Sequence, residues 1–463
     1  MATITHWRRY VNDQLLVDPL LSKALSAENI EAHCRSAGHG WRKSFWSPSI
    51  TVLAFVLQVL SAEKTLRAAV VTLLTRMAAQ CRRDLPSQDP TAYCQARQRL
   101  PGAVMVALLA TTADAMRAMV PHEHRWLGRR VRIFDGSSAS MPDTPELQKA
   151  FPQPSAQKRG CGFPVAQFVA MFCWSTGAVL DIVIDTLRPH ELTLFRKMWH
   201  HFQPGDVILA DRAYGAYVDM ARLLQRGVHC VFRLHQRRVV DWRRGQRLSR
   251  GDRLVRLHKP KQYLASCGIS RREFRRLPDT MMVRLVRIRR EQPGMQTREM
   301  TIVTTLTDPS DVPADDVRNL YRDRWTAELN LRNIKTALKM EVLRGESPDV
   351  VRKEIAVHLL VYNLIRLLMW HAAVQHGRDL HRLSFTGTLH RVRAVLPMMA
   401  MAAGPTAVAN LFAYLIESVA EDVLPYRPDR VEPRRVKRRP KPYRLLTKPR
   451  HQCRGRDEDG YAR

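Results

Sequence analysis

Apolar residues recur at the three-to-four-residue spacing of helices through the first quarter of the chain, so residues 1–125 are predicted to be helical. The run at 49–78 predicts two apolar helices with a break around 62–64. Residues 91–100 follow a loop of Pro, Ser and Asp, and Thr91 is suited to cap the helix that begins there. Its Gln and Arg side chains suit contacts with DNA, and an ordinary exposed helix fits the same pattern equally well.

Short strand-like runs replace the helical spacing from residue 131 onward. They lie at 131–136, 163–174, 178–187, 206–212 and 228–234. The second and third are predicted to form a hairpin, and helices are predicted to begin near His190 and to cover 214–226. Alternating strands and helices are typical of an α/β fold.

Residues 235–300 differ from their surroundings because Arg and Lys crowd between turn residues and further strand-like runs, at 282–289 and 299–306. We expect a β-rich basic insertion there. A helix without Gly or Pro is then predicted over 315–341, and largely buried helices follow over 350–420. From 427 to 454 the chain is interrupted by Pro and carries 12 Lys and Arg residues, so we expect it to lie on DNA or to be partly disordered.

Three apolar stretches, at 50–60, 355–374 and 394–416, approach the length of a membrane span. Polar side chains interrupt the second, and Pro and Gly interrupt the third, so buried helices are the better interpretation. The N-terminus has no apolar signal core, and the eight Cys residues include no CxxC pair. We therefore expect a cytoplasmic protein without a zinc site or a membrane partner.

The balance of charges indicates the type of binding partner more clearly than the overall composition does. The 463 residues contain 75 Lys and Arg against 43 Asp and Glu, a formal charge of +32. So large a positive charge repels itself unless a polyanion is near, and nucleic acid is the natural partner. An anionic membrane surface is the rival, but no basic amphipathic helix or lipidation motif favours it.

Four residues of the predicted helix at 315–341 follow one another at steps of three, four and seven positions: Tyr321, Arg324, Glu328 and Lys335. At roughly 100° per residue, these steps keep all four side chains on one helical face. One carboxylate flanked by a phenol, a guanidinium and an ammonium suits a metal ion held beside a phosphate. The alternative is a solvated face with ion pairs, and the helix alone does not distinguish the two.

Two of the predicted strands end in aspartate, at Asp135 and Asp211. Ligands gather at the carboxyl ends of strands in α/β sheets. Together with Glu328, the two aspartates would form a cluster of like charges, which is costly unless cations lie between them. Oxygen ligands of this kind select Mg²⁺ or Mn²⁺, and two such ions about 4 Å apart serve phosphodiester displacement.

Other acids stay open as ligands. They are Asp143, Asp181, Asp185 and Asp206. Asp206 is disfavoured because it begins the strand that ends at Asp211, whereas Asp181 and Asp185 share one face of a predicted strand and remain candidates for supporting groups.

The spacing Tyr-x2-Arg-x3-Glu-x6-Lys at 321–335 resembles the signature of the insertion-sequence four family of bacterial DDE transposases. The segments FDGS at 134–137 and ADRAYG at 210–215 resemble the surroundings of that family's two aspartates. The resemblance covers about 130–375, and the Arg- and Pro-rich tail resembles the ends of one group within the family.

The resemblance implies an RNase H-like catalytic core, interrupted by the β-rich insertion and flanked by helical N-terminal and C-terminal regions. The long separation between Asp211 and Glu328 fits an insertion before the helix that carries the Glu. The implied domains are a helical DNA-binding region at 1–125, core segments at 126–234 and 306–375, the insertion at 235–305, a helical region at 376–426 and a basic tail at 427–463.

Members of that family cut transposon ends and join them to target DNA. The resemblance therefore implies a homodimer on double-stranded DNA, with the terminal inverted repeats and the target as partners. It implies that Asp135, Asp211 and Glu328 are catalytic and bind Mg²⁺ or Mn²⁺, with two ions. The implied DNA contacts are Tyr321, Arg324, Lys335, Arg212 and Trp242. Trp242 is included because relatives hold a flipped base against a Trp of the insertion, where Trp242 is the only one.

Two other functions stay open at this point. The first is an RNase H-like nuclease that lacks strand transfer. The second is a basic DNA-binding protein whose acids have no catalytic role.

Overall fold

The computed structural model describes residues 25–42, 44–80, 85–235, 241–290 and 298–425, together with positions 238, 446, 448, 449 and 452. Residues 1–24 and nearly all of the predicted basic tail at 427–463 lie outside the described residues.

Helices form the described chain before residue 120. They are α1 (Ala27–Ser36), α2 (Pro48–Leu60), α3 (Leu66–Gln80), α4 (Thr91–Arg99) and α5 (Gly102–Ala118). The predicted break after α2 is confirmed: Ser61 takes an extended backbone, and Lys64 has a positive φ of 58°. The predicted cap of α4 is wrong, because Pro90 and not Thr91 precedes its first turn and no side chain caps it.

Arg97 of α4 does not present its guanidinium for DNA contacts. The residue is only 7% exposed. Its Nη1 donates to Oε1 of Gln58 at 3.0 Å, and the guanidinium lies 4.4 Å from the ring centroid of Phe55. The arginine therefore ties α4 to α2, so the expectation of a DNA-facing side chain is wrong at this position.

One mixed sheet organises the rest of the described chain. Its strands are β1 (Val131–Ser140), β2 (Val165–Cys173), β3 (Val179–Asp185), β4 (Val207–Ala210), β5 (His229–Arg233), β6 (Gln246–Ser249), β7 (Asp252–His258), β8 (Thr280–Arg290) and β9 (Arg298–Thr304). Their order across the sheet is β3-β2-β1-β4-β5-β9-β8-β7-β6. β1, β4 and β5 are parallel, and β2 and β3 form the predicted antiparallel hairpin at one edge.

The β-rich segment after β5 continues this sheet instead of forming a separate one. β9 returns and pairs antiparallel with β5, with Phe232 opposite Val303. The buried Arg284 on β8 donates to both carboxylate oxygens of the buried Asp252 on β7, at 2.8 and 2.6 Å. Its Nη1 also donates to the carbonyl of Val312, which precedes the next helix. These outer strands, β6 to β9, are thus fixed to one another and to the chain that follows them.

Helices cover both faces of the sheet. One face packs on α6 (Pro145–Ala150), on the N-terminal helices, and on α10 (Ala314–Asp323), α11 (Trp325–Arg332) and α12 (Pro348–Gln375). The other face packs on α7 (Glu191–Lys197), α8 (Tyr217–Gln225) and α9 (Arg271–Arg276). Alternate residues of β1 supply both cores: Ile133 points to the first layer and Phe134 to the second. The chain is an α/β protein, and the order and directions of β3-β2-β1-β4-β5 are those of an RNase H-like core.

Helix α12 is long and apolar enough to cross a membrane by length and composition. However, 89% of its most apolar 18-residue stretch is buried inside the fold. Its polar residues bind the β2–β3 turn. Asn363 exchanges hydrogen bonds with the backbone of Val179, and Arg366 donates to the carbonyl of Thr176. Gly177 in this turn has φ +68°, and a Cβ there would lie 2.4 Å from the Arg366 guanidinium. The apolar stretch is therefore a core helix, as predicted.

The predicted helix at 315–341 is interrupted. α10 ends at Asp323, α11 begins at Trp325, and a π-helical turn follows over Asn333–Ala337. The chain then leaves the helix, and Lys339 takes a positive φ of 55°. After α12, the chain forms α13 (Phe385–Met401) and α14 (Pro405–Glu421). Pro397 is accommodated inside α13, and the break comes at Gly404.

Candidate active site

The two strand-end aspartates lie side by side. β1 and β4 are parallel with Ile133 opposite Leu209, and Asp135 and Asp211 each follow two residues later. Continuing the register places their backbones about 5 Å apart, the spacing of neighbouring strands. Residues two apart share a face of a strand, so both carboxylates point towards the layer that contains α11.

The helix that carries Glu328 is anchored to β1 beyond Asp135. Lys335 donates from Nζ to Oγ of Ser137 at 3.1 Å. The chain after the π turn then forms a parallel bridge between Val342 and Ser140, with backbone hydrogen bonds of 3.1 and 2.9 Å. These contacts hold α11 over the strand ends.

Glu328 is paired within its own helix segment. Nη2 of Arg324 donates to Oε1 of Glu328 at 2.5 Å, and the carboxylate side chain is 36% exposed. The alternative of an ion pair four residues apart is therefore present in the structure. Glu328 also lies close to the strand-end acids, since its negative charge raises the pKa of Asp135.

Tyr321 lies on the same side of the helix segment. Its side chain is buried, and this burial raises the pKa of its phenol to about 12. The negative charge of Asp211 also raises this pKa, while the positive charges of Arg324 and Arg233 oppose the rise. Tyr321, Arg324, Glu328 and Lys335 thus all face the carboxyl ends of the parallel strands.

Asp135 is electrostatically strained at neutral pH. Burial raises the pKa of its carboxyl from 3.8 to about 6, and the charges of Glu328 and Glu191 also raise it. The Arg324 guanidinium and the Gly136 N–H, which donates to Oδ1 of Asp135 at 3.0 Å, act in the opposite direction. A divalent cation beside this carboxylate would remove the strain.

The other candidate acids already have partners. Among the described residues, Asp206 pairs with Arg130, Asp219 with Arg196 and Asp185 with Lys197 at 2.8 to 2.9 Å. Asp181 lies 2.9 Å from Nε2 of His201, and the exposed Asp143 accepts a hydrogen bond from Gln148 at 2.7 Å. In the same part of the chain, Asp135, Asp211 and Glu191 have no Lys, Arg or His nitrogen within 4.0 Å. A set of unpaired carboxylate oxygens fits Mg²⁺ or Mn²⁺.

A second group that offers metal ligands lies on β3 and after α7. Ligand atoms of Asp181, His200 and His201 are within 4.8 Å of one another. Nε2 of His201 already binds Asp181 at 2.9 Å, and His200 is exposed. This group is distinct from the strand-end acids.

The other two predicted DNA contacts lie in different places. Arg212 is in the 3₁₀ turn Arg212–Tyr214, directly after Asp211. Trp242 lies in the segment before β6, where the Arg287 guanidinium is 4.2 Å from its ring centroid. The structure thus places Arg212 next to the acids and Trp242 with the outer strands.

Two residues near the acids were not expected from the sequence. Arg233 ends β5, and the register of Ala210 with Phe232 places it beside Asp211. The sequence could have indicated Arg233 in the same way as the two aspartates, because Arg233 is also a charged residue at the end of a predicted strand. Glu191 begins α7 on the opposite side of β1, and only its position at the start of a predicted helix marked it.

Comparisons with known proteins identify the family of this chain. Residues 126–364 match the family described as Transposase DDE domain. The chain is 27% identical over 362 residues to the transposase InsG of insertion sequence element IS4 from Escherichia coli (strain K12), covering 77% of this chain and 78% of that protein.

One solved structure is more distantly similar: the cryo-EM structure of the piggyBac transposase synaptic complex with hairpin DNA. It aligns over 90% of this chain and 86% of its own at 10% identity, with a TM-score of 0.41, a similarity too low to bear on function. The family match spans more than half of the chain and includes Asp135, Asp211 and Glu328. This chain belongs to the DDE transposases of the insertion-sequence four family and is an enzyme that acts on DNA.

Proposed function

We propose that this transposase cuts the ends of its element and joins them to target DNA by a cut-and-paste mechanism that depends on divalent metal. The observation that carries the proposal is the meeting of Asp135, Asp211 and Glu328 at the ends of two register-matched strands. Mg²⁺ or Mn²⁺ held there, as two ions, would activate the attacking oxygen and stabilise the leaving oxygen of a phosphodiester.

The protein's own residues supply binding and orientation. Arg324 offers a planar pair of donors that suits a phosphate, and it would be free to bind one if its present partner, Glu328, held a cation. Lys335 and Arg212 add positive charge on either side of the acids. Tyr321 stays protonated at physiological pH because its pKa is about 12, so its hydroxyl donates to a phosphate oxygen.

The same proposal gives a role to each of the other regions of the chain. The helical region at 1–125 and the basic tail at 427–463 contact double-stranded DNA outside the core. The insertion at 235–305 brings Trp242 to the terminal nucleotides, where its ring stacks on a flipped base. Core segments 126–234 and 306–375 carry the acids, and the helical region 376–426 supports them.

Two ends have to be paired during transposition, so we propose a homodimer on the inverted repeats. The protein works in the cytoplasm, on the nucleoid, without a membrane partner. The positive charge of the chain suits this location, because neutralised phosphates release counterions.

The test is a gel assay with a labelled transposon end in Mg²⁺. Wild-type protein is expected to cleave the end and to join a pre-cut 3′-OH end to plasmid. Glu328→Gln is expected to abolish both products with DNA binding retained, whereas Lys335→Ala weakens DNA binding and leaves metal binding intact. Cleavage without any joined product would identify a nuclease, and unchanged activity in both variants would refute the proposal.

A further inference from the structure

Glu191 is the unpaired carboxylate that the DDE triad leaves unexplained. It begins α7, the helix that packs on the face of β1 opposite α11. We propose that Glu191 is a fourth carboxylate ligand of the divalent-metal centre, approaching the end of β1 from the side opposite Glu328. This inference rests on the proposed metal-dependent activity.

The first observation is a close contact with the strand. A Cβ added to Gly136, the residue after Asp135, would lie 2.4 Å from Oε1 and 2.7 Å from Cδ of Glu191. The carboxylate therefore occupies the space that a side chain at this position would fill. Gly136 has a negative φ, so its backbone conformation does not itself require glycine. Glycine is needed there because a side chain would collide with the Glu191 carboxylate.

The second observation is a buried phenol next to this acid. Tyr214 is 2% exposed, and its hydroxyl lies next to the Glu191 carboxylate without a well-aligned hydrogen bond to any described residue. Burial raises the pKa of this phenol well above its usual value, and the charges of Glu191, Asp135 and Asp211 raise it further, in that order. These three carboxylates therefore lie near the Tyr214 hydroxyl, and Glu191 affects it most.

The third observation is the missing counter-charge. Asp206, Asp219 and Asp185 each have an Arg or Lys partner, and Asp181 has a His partner, whereas Glu191 has none of these among the described residues. Three carboxylates without a Lys, Arg or His partner, beside a buried hydroxyl, form an oxygen-rich site of the kind that binds a divalent cation. In this arrangement the Tyr214 hydroxyl donates to a carboxylate oxygen and fixes its orientation once the cation is bound.

The test measures Mn²⁺ binding to the full chain by isothermal titration calorimetry, together with DNA binding. All proteins carry His201→Ala, which removes the second group of metal ligands. Glu191→Gln is expected to weaken Mn²⁺ binding at least tenfold, with DNA affinity changed less than twofold. Gly136→Ala displaces the same carboxylate and is expected to have the same effect.

The matched control is Glu146→Gln, which removes the same charge from an exposed Glu in the first turn of another short helix, α6. It is expected to bind Mn²⁺ like the parent. Normal Mn²⁺ binding by Glu191→Gln, with loss in Asp135→Asn, would overturn the role of Glu191 and leave the proposed function standing. Normal binding in both Asp135→Asn and Asp211→Asn would instead overturn the proposed metal-dependent function.

Discussion

Replacing Asp135 by Asn should make the metal-free protein more stable, although it destroys the proposed ligand. The folded protein holds this carboxyl protonated up to about pH 6, whereas its ordinary pKa is 3.8. Ionisation is thus less favourable in the fold than in the unfolded chain. The resulting cost is absent below about pH 4, grows as the pH rises to about 6, and is constant above that.

The size of the effect follows from the two pKa values. A shift from 3.8 to about 6 corresponds to about 3 kcal/mol of unfolding free energy at pH 7 and to roughly half as much at pH 5. Asn has the same shape and cannot ionise, and its side-chain oxygen still accepts the hydrogen bond from the Gly136 N–H. The variant should therefore recover most of this free energy.

The assay is urea unfolding followed by tryptophan fluorescence in EDTA, at pH 5 and at pH 7. We expect Asp135→Asn to shift the midpoint upwards at pH 7 and by about half as much at pH 5, while the exposed-acid control Glu146→Gln leaves it unchanged at both. A midpoint equal to or below that of the wild type at pH 7 would refute the electrostatic reasoning.

Three further outcomes are expected. Arg284→Met leaves the carboxylate of Asp252 buried without its partner and should lower the free energy of unfolding by about 3–5 kcal/mol, measured by urea unfolding; a loss below 1 kcal/mol would contradict this. Gly177→Ala forces a Cβ towards the Arg366 guanidinium at positive φ and should cost about 1–3 kcal/mol in the same measurement, whereas no loss would show that the turn relaxes. Trp242→Ala should slow processing of the transposon end in a single-turnover gel assay without lowering the melting temperature, and equal rates would count against its proposed stacking on a base.

The strands and the acids at their ends could be predicted because local pattern determines them. A short apolar run that ends in a charged residue marks Asp135 and Asp211 without knowledge of any partner. Parallel pairing of β1 with β4 then brings the two strand ends together. The four-residue spacing of Arg324 and Glu328 likewise depends only on local helical geometry, and the two side chains form an ion pair.

The rest depends on contacts between distant parts of the chain. The interrupted helix reflects the anchoring of Lys335 to Ser137 and the Val342–Ser140 bridge, which the local propensity for a single long helix does not contain. Arg97 was placed at the surface because Arg is usually exposed, yet Gln58 and Phe55 supply a buried site for it. The position of Glu191 follows from packing across β1.

The pairing of β5 with β9 has a consequence for how the enzyme can be altered. Deleting the outer strands would strip β5 of its neighbour and expose a row of unpaired backbone groups, a template for aggregation. Such a truncation would also remove the support of the strand that carries Arg233. The outer strands are therefore not a detachable module, and transplanting a related insertion would require β9 to be replaced in register with β5.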